Sequence, residues 1–87
     1  MKLTVKFFGK HKKIVGIERM RMEMEEGKDV EHLFEKLCEK FPKLRETKDY
    51  TFVSVNNKYA SFKEILNDDD EVAFFPPVGG GWNETFK

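Results

Sequence analysis

The sequence predicts an α+β domain in which one mixed sheet of four to five strands carries a single main helix on one face. Three observations lead there. Two alternating stretches open the chain, one apolar stripe at helical spacing comes next, and short strand-like segments bounded by turn residues complete it. With only one substantial helix, one face of the sheet is covered and the other meets water or a partner.

The first strand is Lys2-Leu3-Thr4-Val5-Lys6-Phe7-Phe8, which puts Leu3, Val5 and Phe7 on one face and Lys2, Thr4, Lys6 and Phe8 on the other. Gly9 to Gly16 reads as a basic loop, with Ile14 and Val15 folded back as an apolar anchor and His11 solvated among lysines. From Ile17 to Glu25 the alternation resumes, with Met20, Met22 and Met24 facing one way. This is a second strand, antiparallel to the first. The methionine row has no interleaved Cys or His, so it fills core space rather than holding a soft metal.

Asp29 is the expected N-cap of the main helix and Pro42 its stop. Val30, Leu33, Phe34, Leu37, Cys38 and Phe41 form its apolar stripe, while Glu31, Glu35, Lys36, Glu39 and Lys40 cover the other side. Cys38 lies in the stripe as a small hydrophobe, and His32 falls on the exposed flank. Leu44 to Tyr50 reads as a polar connection. Thr51 to Val55 is a third strand, Asn56-Asn57 a turn, and Lys58-Tyr59-Ala60 a short return strand. Ser61 caps one turn carrying Phe62, Ile65 and Leu66. After the acidic turn from Asn67 to Asp70, the last strand points Val72 and Phe74 one way and Ala73 and Phe75 the other. If the first and last strands are central and parallel, Phe8 and Phe75 lie side by side on the open face, with Phe52 a third member of the patch. Clustered aromatics at the end of a sheet mark a contact surface.

At 87 residues the chain supports one core. Nine phenylalanines offset a hydrophobic content of 39%, which excludes a disordered chain. Sixteen basic and sixteen acidic residues cancel. No global field then draws the molecule to nucleic acid, and the lysines from Lys10 to Lys13 lack interleaved aromatics for base stacking. One cysteine forms no internal disulfide, and no stretch resembles a signal peptide or membrane span, so a cytoplasmic setting is expected. No metal site is expected, because no Cys, His and carboxylate cluster stands at ligand spacing.

The chain is organised around the segment beyond the last strand. Pro76-Pro77 removes two backbone donors and ends sheet pairing, and Val78 leads into Gly79-Gly80-Gly81. A tail without side chains can thread a narrow channel and lie against another protein's active site. From Pro76 to Gly81 it reaches about 20 Å when fully extended, at about 3.3 Å per residue.

On these residues the chain resembles the MoaD family, the small sulfur-carrier subunits of molybdopterin synthase. Asp70-Glu71-Val72-Ala73-Phe74-Phe75-Pro76-Pro77-Val78 before the glycines is the most specific part. Phe7-Phe8, Val15-Gly16 and Val55-Asn56 support it, and the likeness covers essentially the whole body. The resemblance implies a β-grasp, ubiquitin-like fold, in agreement with the element order. It also implies that the carboxylate of a terminal Gly81 is adenylated with ATP by a MoeB-like activating enzyme and converted to a thiocarboxylate. A MoaE-like large subunit then uses that sulfur to build the dithiolene of molybdopterin. A carrier of this kind is expected to bind no cofactor and to be a non-catalytic subunit, and Phe8, Phe75, Pro76, Pro77 and Val78 are the residues expected to meet the partner.

One departure stands out. Trp82-Asn83-Glu84-Thr85-Phe86-Lys87 continues past Gly81, and an internal glycine carbonyl is an amide that cannot be adenylated as a carboxylate. The expected organisation is a carrier domain over 1–81 and an extension over 82–87. Removal by a processing protease is the favoured account of the extension. A foreign origin, or a carrier that has lost its task and uses Trp82 and Phe86 as anchors, are the others. Alternative functions are related carriers for thiamine, cysteine or tRNA thiolation, a modifier joined to lysines, or a non-carrying interaction module with a blocked tail.

Overall fold

The computed structural model describes residues 1–77. Five strands form one sheet in the order β2-β1-β5-β3-β4, with β1 at Lys2–Phe7, β2 at Arg19–Glu23, β3 at Phe52–Val55, β4 at Lys58–Ala60 and β5 at Glu71–Phe75. The last strand therefore occupies the middle. β1 and β5 run parallel, with Val5 opposite Val72 and Phe7 opposite Phe74, and every other neighbouring pair is antiparallel. This matches the mixed sheet expected from the sequence.

The main helix, α2 at Val30–Lys40, lies across one face. Asp29 caps it: the carboxylate accepts from the His32 backbone N–H at 3.0 Å and contacts the His32 ring nitrogen Nδ1 at 2.6 Å. The backbone bond from His32 is the main reason the Asp29 carboxyl titrates below its ordinary range. Val30, Leu33, Phe34, Leu37 and Cys38 are buried against Leu3, Val5, Phe7, Val53, Val72 and Phe74. Phe34 is the hub, 5.4 Å from both Phe62 and Phe74 between ring centroids. Burial pushes the Cys38 thiol above its usual pKa, which suits an inert core residue.

Two stretches differ from the expectation. Gly9–Val15 is not a loop but a short helix, α1, closed by Gly16 at φ +84° with its N–H donating to the Lys12 carbonyl at 2.8 Å. On α1, His11 and Val15 stand one turn apart on the inner side, and His11 is completely buried rather than solvated. The stretch from Leu44 to Tyr50, expected as a polar connection, belongs to a 3₁₀ helix over Pro42–Tyr50 whose Leu44 and Thr47 are buried. A spacing of three suits three residues per turn, so an otherwise polar sequence still presents one inward edge. Smaller differences are of the same kind. β2 is shorter than the alternating stretch, although Met24 just beyond it is buried, and Ile65 points outward while Leu66 enters the core.

Two turns direct β5. Asn56 and Asn57 adopt φ of +53° and +69°, the left-handed values that a two-residue hairpin requires. Asp70 accepts from the Asn56 side-chain amide and the Asn67 N–H, both at 2.8 Å, and Asn56 in turn accepts from the Glu71 N–H at 2.9 Å. The acidic turn is thereby tied to the β3–β4 hairpin, and β5 enters the sheet in register.

Candidate functional site

Alternation in β5 buries Val72 and Phe74 under α2 and turns Glu71, Ala73 and Phe75 to the open face. Pairing with β3 sets Phe52 opposite Phe75, their rings edge-on with centroids 6.1 Å apart. The β3–β4 hairpin places Tyr59 opposite Ser54, on the same face, and its ring also lies 6.1 Å from Phe75. Phe8 extends β1 by one residue, and its N–H donates to the Phe74 carbonyl at 3.1 Å. It therefore flanks Phe75 at the tail end of the central pair. Phe8 is 46% exposed, Phe52 39% and Tyr59 54%. Three large aromatics at one end of the sheet are thus exposed outside the core.

The rest of the open face is charged. Glu71 pairs with Lys6 at 3.2 Å and Arg19 at 3.8 Å, and Arg21 reaches Asp69 at 3.6 Å while donating to the Thr4 hydroxyl at 2.9 Å. Between the two halves, Lys6, Phe8, Glu18 and Arg19 line a shallow cleft of about 340 Å³. An aromatic centre with a charged margin is, in general, the arrangement that anchors and orients protein interfaces.

Pro76-Pro77 follows β5 at this end of the sheet. Pro76 is half-buried and Pro77 exposed, and neither offers an N–H to the sheet. Val78, Gly79, Gly80, Gly81 and the extension from Trp82 to Lys87 lie outside the described residues. Among the described residues no group of three or more His, Cys, Asp or Glu is placed to hold a metal, and no helix is long and apolar enough to cross a membrane.

Behind the tail root, α1 packs on the 3₁₀ helix. Thr51 Oγ1 donates to the Thr47 carbonyl at 2.6 Å, which leaves its oxygen to accept from His11 Nε2 at 2.7 Å. Thr47 Oγ1 donates to the Leu44 carbonyl at 2.7 Å. His11 is thus the neutral Nε2–H tautomer, and its buried Nδ1 has no hydrogen-bond partner. Burial, with Lys10 adding to it, lowers the imidazole pKa to about 4. His11 fastens α1 to the start of β3; with its ring closed off, it is not a base.

This small domain, with its central last strand and its run-out into glycine, invites comparison with known proteins. A model of the ThiS family matches residues 5–81. The chain belongs to that family. A molybdopterin synthase sulfur carrier subunit from Mycobacterium tuberculosis is 35% identical over 82 residues, covering 93% of this chain and 99% of the relative. Among solved structures, a putative molybdopterin converting factor subunit 1 from Pyrococcus furiosus is 31% identical with a TM-score of 0.80, covering 90% of this chain and 99% of that one. A chain from the complex of subunits 1 and 2 of molybdopterin-converting factor from Helicobacter pylori has a TM-score of 0.67 at 23% identity, over 93% and 100% of the two chains. At that identity the likeness speaks to the fold. The ThiS-family chain therefore has the β-grasp fold that the resemblance implied.

Within this ThiS-family domain the structure brings Phe8, Phe75 and Pro76 to one end of the sheet, as expected. It adds Tyr59 and Gly9. The Asn56-Asn57 hairpin already implies that Tyr59 faces the same way as Ser54, so alternation carried a signal for it. For Gly9 there was none: a side chain at that position would meet Pro76, far away in sequence.

Proposed function

We propose that this protein is the sulfur-carrying small subunit of a molybdopterin synthase, loaded at the main-chain carboxyl of Gly81. The observation that carries the reading is the Pro76-Pro77-Val78-Gly79-Gly80-Gly81 run leaving the central strand of a ThiS-family domain whose relatives bear that name. Placing the tail after β5 joins the glycine end to the most deeply embedded strand, so a pull or push on the tail is resisted by the whole sheet.

The chemistry stems from the weakness of a carboxylate as an electrophile. A Gly81 carboxylate oxygen attacks the α-phosphorus of ATP in a MoeB-like activating enzyme, pyrophosphate departs, and the acyl carbon gains AMP as a leaving group. A reduced sulfur nucleophile then attacks that carbon and expels AMP, leaving the thiocarboxylate. The carrier supplies no acid, base or metal to these steps. Its part is to dock through Phe8, Phe75 and their aromatic neighbours and to deliver the tail into the partner's chamber, first in the activating enzyme and then in a MoaE-like large subunit. The Helicobacter pylori complex, a pairing of subunits 1 and 2 around a chain of this fold, supports a large-subunit partner.

The chemistry requires a free carboxyl, so the reading includes proteolytic removal of Trp82 to Lys87. Mass spectrometry of the protein recovered from cells tests it. The expected species ends at Gly81 and includes a fraction heavier by the exchange of one oxygen for sulfur. A population that ends beyond Gly81, with no sulfur gain, contradicts the reading, and Gly81 joined to lysines identifies a modifier instead.

A further inference from the structure

Gly9 forms the joint between β1 and α1 with φ at +56°, and the ring of Pro76 lies directly over it. A Cβ at position 9 would stand 3.1 Å from Pro76 Cγ and 3.2 Å from Cδ, inside ordinary carbon contact. Gly16, at the other end of the same helix, makes an internal control. Its φ is +84°, yet a Cβ there meets nothing within 4 Å. Both glycines supply a left-handed turn, but only Gly9 supplies room.

The surface beneath Pro76 is firmly held. The Phe8 N–H donates to the Phe74 carbonyl at 3.1 Å, and the His11 N–H donates to the Phe8 carbonyl at 3.2 Å. His11 itself is fastened through its ring to Thr51. The proline ring fixes its own φ near −65°, so where the ring seats also determines the heading of the next peptide. We propose that Gly9 is a positioning residue for the tail: the space left by its missing side chain seats Pro76 against α1 and sets the direction in which the chain leaves the sheet toward Gly81. This rests on the reading of Gly81 as the sulfur-bearing end. A carrier tail must arrive at a reacting centre it does not own, and a misplacement of about 1 Å can cost as much as 100-fold in rate.

The test is a cycle between positions 9 and 76. Gly9→Asn tolerates positive φ while filling the space, and Gly9→Ala carries the same cycle should Gly9→Asn fail to fold. Pro76→Ala removes the Cγ and Cδ that the new side chain would strike. In the full chain, Gly9→Asn is expected to move the Val78 amide resonance when Pro76 is present and to leave it in place in the Pro76→Ala background. Every described strand and helix ends before Pro76, so a chain ending at Gly81 retains them and serves for turnover with the large synthase subunit. There Gly9→Asn is expected to lower sulfur transfer about tenfold with subunit affinity held within about twofold, and to have no further effect in the Pro76→Ala background. Gly16→Ala, with similar backbone strain and open space, leaves transfer unchanged. Wild-type turnover in Gly9→Asn, or an equal loss with and without Pro76, overturns the proposal, and so does a moved amide with unaltered turnover. If the unsubstituted chain ending at Gly81 transfers no sulfur, the functional reading fails instead.

Discussion

Phe74 and Phe75 are consecutive in β5, but they answer to different demands. Phe74 is fully buried, stacked against Phe7 and tilted onto Phe34, among residues that hold α2 to the sheet. Phe75 is half-buried on the opposite face, in a ring cluster with Phe52 and Tyr59 that no helix covers. One strand can thus carry stability and recognition at once, because a period of two separates them cleanly. The same division explains why a carrier can be so small. Core-forming helices pack on one face only, and among the described residues no helix covers the other.

Truncating each ring in turn puts this division under the greatest strain. Phe74→Ala should cost about 3–5 kcal/mol of folding stability, read by urea unfolding, because it leaves a cavity at the centre of the core. Phe75→Ala should cost only about 1 kcal/mol by the same measurement. Its larger effect falls on the large synthase subunit, where loss of a central aromatic anchor weakens binding by about 2 kcal/mol, roughly thirtyfold in Kd by titration calorimetry. Equal stability losses at the two positions would erase the distinction between the faces.

On the covered side, His11 is buried neutral with its pKa lowered to about 4, against 6.5 for an unperturbed histidine. Between these values the unfolded chain binds a proton that the folded chain refuses, so stability rises with pH across the interval. The contribution is complete above about pH 6.5 and is lost as the pH falls toward about 4. Urea midpoints measured across that range in the wild type and in His11→Gln should therefore converge at the acidic end. A constant separation would show that the ring is not held neutral.

Smaller effects remain. Asp29→Ala removes the N-cap of α2 and should cost about 1 kcal/mol in urea unfolding. On the open face, Glu71→Gln leaves Lys6 and Arg19 without their carboxylate but should change stability by less than about 1 kcal/mol, because these pairs are partly open to solvent. Its effect on partner association should instead appear as altered salt dependence of the association rate.

Much of this was legible in the residues. Alternation located the strands, the stripe from Val30 to Cys38 located α2, and the two combined placed Phe8 and Phe75 on the uncovered face. The hidden parts share a physical cause. α1 spans only two turns and buries only His11 and Val15, too few positions to establish a period among its lysines. The 3₁₀ helix repeats every three residues, and its inward edge consists of one leucine and one threonine. His11 bonds to Thr51, and the space at Gly9 faces Pro76, partners that only folding brings near.

The central claim is that reactivity resides in a main-chain carboxyl at Gly81. Incubating the full chain and a chain ending at Gly81 with ATP, a MoeB-like activating enzyme and a sulfur donor, then weighing both intact, tests it most directly. The account predicts that the shorter chain gains the mass of sulfur for oxygen while the full chain is unchanged. Sulfur appearing on the full chain, or on neither while the activating enzyme loads its own carrier, would contradict it.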